Sequence, residues 1–268
     1  PSLPSAVIHI TDIINDPNSS LEDIGKALSA DPSIALKSLR LVNSAYYALP
    51  NKINSVEHAA SMLGMKVIQN IVFTATVFDA LQCQQISLIR HNVACAVALQ
   101  RLVESDLVDK KVFPYRQESF IIGLLHDVGK IIFTQYMSHE MVQVAEMCAS
   151  SSATWEEAEL EIIGVTHAEM GSSLARKWQL SEILIESIAC HHDLTNCTGL
   201  EYTLSAAYTG IADFICYQAG YPCHPGMEID IDHSFWEAAR FGRDAVQELI
   251  DDLAASTGDI DELVNLSC

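Results

Sequence analysis

Side chains able to do acid–base or metal chemistry gather at a few points of this 268-residue chain. The densest is Leu124-Leu125-His126-Asp127-Val128-Gly129-Lys130, where an imidazole and a carboxylate stand side by side in an apolar run. A buried carboxylate stays ionised only against hydrogen bonds or a cation, and a metal ion supplies the cation directly. Lys130 follows His126 by one helical turn and can face either that carboxylate or an anionic ligand. A hydrogen-bonded His-Asp pair without metal satisfies the same local pattern.

Further ligand-competent groups lie in or at the ends of apolar segments. His91 sits in Leu88-Ile89-Arg90-His91-Asn92-Val93-Ala94, and His167 opens Thr166-His167-Ala168-Glu169-Met170-Gly171, where Gly171 would allow close helix approach. His191-His192 close Ile183-Leu184-Ile185-Glu186-Ser187-Ile188-Ala189-Cys190, and Asp213 is an acid within Gly210-Ile211-Ala212-Asp213-Phe214-Ile215-Cys216. Any one of them alone reads as an ordinary core or surface residue. Together they make five imidazoles and two carboxylates, a nitrogen and oxygen set suited to Fe, Mn, Zn, Co or Ni. His9, His58, His139, His224 and His233 lie near helix starts or polar loops and are expected to be solvated, while Trp155, Trp178 and Trp236 read as core anchors. No glycine-rich nucleotide loop, nucleophile elbow or HExxH pattern occurs.

Helices must position these groups. Ser20 with Asp23, Asp31-Pro32, Asn54 with Glu57, Thr154 with Glu157, and Ser234 with Glu237 each predict a capped helix start. Gly64 and Gly164 are expected stops. Apolar residues recur at helical spacing, as in Ile34, Leu36, Leu39, Leu41 and Val42, or Phe241, Ala245, Leu249 and Leu253. The run from Ile121 to Phe133 is apolar enough for a central helix carrying His126 and Asp127. Alternation is confined to Ile229-Asp230-Ile231-Asp232, expected to be loop with the Gly- and Pro-bearing segment 219–233 around it. The fold class is all-α, with an N-terminal lobe over 1–82 and a second helical lobe over 83–268, packed as one unit.

Composition narrows the function. Hydrophobic residues make up 49% of the chain, enough for a substantial core, and 12 glycines with 8 prolines argue against a turn-rich β fold. Fifteen basic against 35 acidic residues leave a net charge of −20, which disfavours nucleic acid as a partner. Cys83, Cys95, Cys148, Cys190, Cys197, Cys216, Cys223 and Cys268 show no CxxC pairing and read as reduced thiols of a cytoplasmic protein. No apolar stretch predicts a membrane span, and no leader peptide is expected.

Over nearly its whole length the chain resembles the HDOD (HD-related output domain) family of bacterial signalling proteins. The resemblance rests on Leu3-Pro4, Asp31-Pro32, Leu39-Arg40-Leu41-Val42-Asn43-Ser44-Ala45-Tyr46-Tyr47 and Leu63-Gly64 in the first half. In the second half it rests on Gly123 to Lys130, His167-Ala168-Glu169-Met170-Gly171 and His191-His192. It implies a multi-helix architecture with an HD-like lobe. By the pattern of HD phosphohydrolases, it also implies a metal held by His91, His126, Asp127 and Asp213. The related HD-GYP cyclic di-GMP phosphodiesterases imply a second ion on His167, His191 and His192, with Asp127 shared and Lys130 as the motif lysine. Many HDOD members have lost several of these groups; this chain keeps them. It departs from HD-GYP enzymes after His192, where Asp193-Leu194-Thr195-Asn196-Cys197-Thr198-Gly199 carries no Gly-Tyr-Pro, and at Ser87, where some of them carry an acid. Gly220-Tyr221-Pro222 follows Asp213 and is read as a coincidence of a loop.

Two functions fit this reading. One is a signalling output or interaction module, with other signalling proteins or a second copy as partners and an HD-type centre of one or two transition ions. Fe or Mn is favoured over Zn, Ni or Co because more than four nitrogen and oxygen ligands converge without thiolates. The other is a metal-dependent phosphohydrolase in which Lys130 and Asp127 serve catalysis on a phosphate-containing ligand. Either way, cyclic di-GMP is not the expected substrate. Purified, metal-loaded protein should turn it over far more slowly than about 1 per second, and a rate at or above that level overturns the exclusion.

Overall fold

The computed structural model describes residues 5–267 apart from 17, 30, 48, 50, 82, 83, 112, 114, 115, 152 and 225–228. Leu3-Pro4, Cys83, Pro225-Gly226, Cys268 and the side chain of Glu57 lie outside the described residues. Among the described residues every regular element is helical, and no helix is long and apolar enough to cross a membrane. The chain divides into two compact units, 1–93 with 255–268, and 94–254.

The first unit holds α1 (Ser5–Asn15), α2 (Leu21–Ser29), α3 (Pro32–Val42), α4 (Val56–Leu63), α5 (Met65–Ala80) and the first two turns of α6 (Ile86–Glu104). Its helix starts are set by side chains that accept otherwise unpaired backbone N–H groups. Asp31 accepts from Ser33 and Ile34 with Pro32 in the first turn, and Ser20 and Asp23 cap each other reciprocally. The cap of α4 is Ser55, one residue later than expected: its hydroxyl accepts the His58 N–H, and the helix stops at Gly64 with φ +88°. Within α3 the buried face is Ile34, Ser38, Leu41 and Val42, so Leu36 points to solvent rather than into the apolar stripe. Asn43 braces the segment after α3. Its amide accepts the Ile53 N–H at 2.7 Å and donates to the carbonyls of Leu39 and Ile53 at 2.7 and 2.8 Å.

The second unit continues α6 and adds α7 (Ser119–Leu125), α8 (Val128–Tyr136), α9 (Ser138–Ser150), α10 (Trp155–Ile162), α11 (His167–Lys177), α12 (Glu182–Cys190), α13 (Leu200–Gln218), α14 (His233–Ala239) and α15 (Gln247–Ala255). A final helix, α16 (Thr257–Ser267), belongs to the first unit, where Glu262 accepts the Ala45 N–H at 2.9 Å and Asp261 pairs with Arg90 at 2.8 Å. The middle of α13 is buried on every side, from Leu204 to Cys216, and forms the axis around which α7, α12 and α14 pack. Phe133, Met141, Val144, Trp155 and Ala158 make a satellite cluster joining α8, α9 and α10.

Two elements differ from the sequence expectation. His126 and Asp127 lie at the joint between α7 and α8 rather than inside one continuous helix, because Asp127 leaves helical geometry at φ −99°, ψ 17°. The helix expected from Ser234 is two helices: Asp232 provides the cap, and Arg240, left-handed at φ 63°, ends α14 before a short three-ten segment leads into α15. Thr154 with Glu157 forms the full capping box, and residues 229–232 are loop, both as expected.

Close backbone approach around the joint depends on glycine. A Cβ on Gly129 would stand 2.0 Å from the carbonyl oxygen of His167, a rigid backbone atom at the start of α11. Gly129→Ala should therefore cost about 3 kcal/mol or more in urea-induced unfolding. Exposed Gly242, with nothing within 4 Å of its Cβ position, should accept Ala within about 0.5 kcal/mol.

Candidate metal centre

Asp127 stands at the focus of the second unit, with no exposed surface. Its Oδ2 accepts from Lys130 Nζ at 2.8 Å and lies 3.7 Å from His126 Nε2. Its Oδ1 lies 3.2 Å from His167 Nε2 and 3.6 Å from His191 Nε2. His126 Nε2 is also 3.8 Å from Asp213 Oδ1, on α13. The two carboxylate oxygens thus face different imidazoles. Asp127, His167, His191 and His192 each offer an atom within 4.8 Å of the others.

Each of the three innermost rings is fixed through its other nitrogen. His126 Nδ1–H donates to the Gly123 carbonyl at 2.7 Å, and His191 Nδ1–H donates to the Ile188 carbonyl at 2.7 Å. His167 Nδ1–H donates to Glu159 Oε2 at 2.7 Å, and the same oxygen takes the backbone N–H of His167 at 2.7 Å. The Trp155 indole N–H donates to Glu159 Oε1 at 2.9 Å, so both oxygens of this fully buried acid are used. Pinning Nδ1 in this way selects the tautomer whose Nε2 lone pair points at Asp127, the arrangement that orients metal-bound histidines. His191 Nε2 is buried with no hydrogen-bond partner. A buried imidazole nitrogen left so, aimed at a carboxylate, fits a cation between them. His192 Nε2 completes the ring of donors at 3.0 Å from His167 Nε2 and 3.1 Å from Glu156 Oε1.

The electrostatics turn on Asp127. Burial alone would raise the Asp127 carboxyl; Lys130, His126 and its hydrogen bonds outweigh burial and hold it well below the usual carboxylate range. Burial would strip Lys130 of its proton, but Asp127 keeps it charged. Burial and Lys130 push His167 down, yet Glu159 and Asp127 carry it up to about 9. His191 and His192 are pushed down by burial first and then by their neighbouring imidazoles. A metal ion here would take the place of protons on the imidazoles.

The structure brings together His126, Asp127, Lys130, His167, His191, His192 and Asp213. His91 is fully buried on α6, in the part that groups with the first unit. His9, His58, His139 and His233 are exposed as expected, but His224 is half-buried and stacks on Trp155 with ring centroids 4.4 Å apart. Sequence reading missed Glu159 and Glu156. The signal for Glu159 was an acid four residues after Trp155 on the face that also carries Ala158's neighbours in the core, a place a glutamate occupies only with partners. Cys95, read as a reduced thiol, lies buried beside His126, and burial pushes its thiol well above its ordinary value and so keeps it neutral. The donor set remains nitrogen and oxygen.

A family model described as HDOD domain matches residues 1–194, a span that includes every candidate ligand except Asp213. An uncharacterized protein of Treponema pallidum (strain Nichols) is 26% identical over 206 residues, 72% of this chain; the chain spans only 38% of that relative. Among solved structures, an HDOD domain protein of unknown function from Geobacter sulfurreducens aligns with a TM-score of 0.80 at 23% identity, covering 99% of this chain and 92% of that one. A candidate phosphohydrolase from Shewanella amazonensis SB2B aligns with a TM-score of 0.76 at 20% identity, covering 100% and 95%. Likeness at these identities is likeness of fold.

Glu159→Gln keeps the side-chain shape but turns one acceptor toward the Trp155 or His167 N–H as a donor. It should weaken metal binding by about 10–100-fold, the usual effect of losing a ligand's supporting hydrogen bond. It should also cost about 3 kcal/mol in stability. Competition titration with a metal indicator and urea unfolding read the two effects, and wild-type values in both would remove Glu159 from the centre.

Proposed function

The chain belongs to the HDOD domain family, and we propose that it serves as a signal-transduction output and interaction module whose second helical unit is organised around an HD-type metal centre. Closure carries this reading. His126, Asp127, Lys130, His167, His191 and Asp213 have 1% or less of their surface exposed, and His192, at 21%, is the group through which the cluster meets solvent. A hydrolytic centre needs a path for water and substrate to its ion, and burial of this order leaves the edge at His192 for one. Lys130, the residue available to bind phosphate, is buried and engaged with Asp127 at 2.8 Å.

In this proposal His126, Asp127 and Asp213 hold one ion, and His167, His191 and His192 hold a second that shares Asp127. Bound there, a transition ion supplies positive charge against the buried carboxylates and ties the α7–α8 joint, α11, α12 and α13 together. The nitrogen and oxygen donor set favours Fe or Mn. Other signalling proteins or a second copy of the chain are the proposed partners, nucleic acid is not, and the proposed location is the cytoplasm.

A metal-dependent phosphohydrolase is the second reading. It is favoured by the retained ligand set and by the partly exposed edge of His192, the point from which a phosphate would approach. A bound ion would supply Lewis acidity toward that phosphate, and Lys130 would have to leave Asp127 to hold its oxygens. A screen of phosphomonoesters, nucleotides and phosphodiesters with metal-loaded protein separates the readings. Turnover abolished by Lys130→Ala with metal retained supports the enzyme.

Both readings require the metal. Asp127→Asn, which keeps the side-chain shape, should lower metal content and reduce stability by about 3–5 kcal/mol, the usual cost of breaking a buried charge pair. His139→Ala, at an exposed position, should change neither. Wild-type protein holding less than about a tenth of an equivalent of any transition ion after anaerobic reconstitution near neutral pH overturns the centre. Full occupancy and an unchanged thermal midpoint in Asp127→Asn remove Asp127 from the ligand set.

A further inference from the structure

A second group of ligand atoms lies outside that centre. Glu186 and Cys190 are four residues apart at the end of α12 and share one face of it. Cys197 follows the short three-ten turn Leu194–Asn196, which folds the chain back against that face. One donor atom from each of the three lies within 4.8 Å of the others. Cys190 is buried, Glu186 and Cys197 are half-buried, and both cysteines are free thiols.

The turn that presents Cys197 is held by its own bonds. Asp193 N–H donates to the Cys190 carbonyl at 3.1 Å, and Asp193 Oδ1 accepts from the Thr195 N–H at 2.9 Å and from its hydroxyl at 2.7 Å. The Cys197 N–H then donates to the Leu194 carbonyl at 3.2 Å. These bonds hold the backbone at Cys197 close to the end of α12. Arg176 reaches Glu186 at 3.8 Å but is itself 59% exposed and lies closer, at 3.3 Å, to Glu182, so it can release Glu186 without being left unpaired.

Two sulfurs and a carboxylate near the surface match the ligand chemistry of a thiophilic divalent ion that accepts three protein ligands and one water. We propose that Glu186, Cys190 and Cys197 form a zinc-class metal site, separate from the nitrogen and oxygen centre and independent of the ligand assignment made there. Binding displaces one proton from each thiol, and no oxidant takes part. Cys190 immediately precedes His191, so an ion at this site ties the end of α12 to residue 197 and restrains the segment that carries His191 and His192.

The test uses full-length protein, stripped of metal and kept reduced with a phosphine, titrated first with Co²⁺ alone and then with Zn²⁺ alone. Wild type should develop a thiolate-to-cobalt charge-transfer band that Zn²⁺ abolishes. Cys148→Ser, which removes a half-buried thiol elsewhere, should behave like wild type. Cys197→Ser should lack the band and bind Zn²⁺ at least about tenfold more weakly, with the circular dichroism of the metal-free protein unchanged. Glu186→Gln should keep the band but alter the visible ligand-field absorption. Absence of the band in wild type, or an equal band in Cys197→Ser, overturns the site. Loss of the band in folded Asp127→Asn overturns its independence from the main centre.

Discussion

A carboxylate with no surface in contact with water, Asp127, is the constraint around which the second unit is arranged. Taking an ion out of water costs several kcal/mol even after relaxation, so everything near Asp127 has to compensate. Lys130 does part of this from one turn along α8, at 2.8 Å. A lysine equally buried brings its own desolvation cost, and the pair is stable only because both members stay charged together. The imidazoles of His126, His167 and His191 complete the surround. The joint between α7 and α8 follows from the same constraint. At that joint the two oxygens of Asp127 face different partners, Oδ2 toward Lys130 and His126 and Oδ1 toward His167 and His191.

The outer layer of bonds matters as much as the inner one. Three rings have their Nδ1 atoms taken by Gly123 O, Ile188 O and Glu159, and each bond fixes both orientation and tautomer. Two of these acceptors are carbonyls near helix C-termini, where the last turn leaves carbonyl oxygens available. The third is a side chain that had to be buried for the purpose and is itself held by Trp155. Glycines at 129, 171 and 210 let the backbones carrying these groups approach each other: a Cβ at Gly210 would stand 2.7 Å from the His191 carbonyl oxygen, and one at Gly171 3.0 Å from Ile188. Ligand placement, helix spacing and the choice of glycine are one problem solved together.

Much of this was readable in the sequence, because helical periodicity and capping chemistry are local. Asp31-Pro32, Thr154 with Glu157 and Gly64 act as their residue types dictate. So do the ligand-competent residues of the second unit, since an acid or imidazole in an apolar helix must find a partner. Other features depended on tertiary contacts that carry no local mark. Asn54 and Ser55 are both good caps, and the choice between them falls to the backbone geometry that aims Ser55 at the His58 N–H. Arg240 in the left-handed region splits a helix whose apolar stripe runs on without a break in the sequence. Glu159 sits in a helix rich in acids, and beyond its spacing from Trp155 it is the arrival of His167 eight residues later that distinguishes it from its neighbours.

The closed state of the cluster bears on function through Lys130. To hold a phosphate, its ammonium would leave a carboxylate 2.8 Å away, and an ion on Asp127 would have to supply the counter-charge in its place. Removing one partner of a buried pair typically costs about 3–5 kcal/mol, a cost that ligand binding would meet in full only without that ion. A module that uses the centre to hold its helices in register meets no such penalty, because the pair is never broken. Burial of the pair therefore weighs on the two proposed roles unequally, and the weight depends on whether an ion stands beside Asp127.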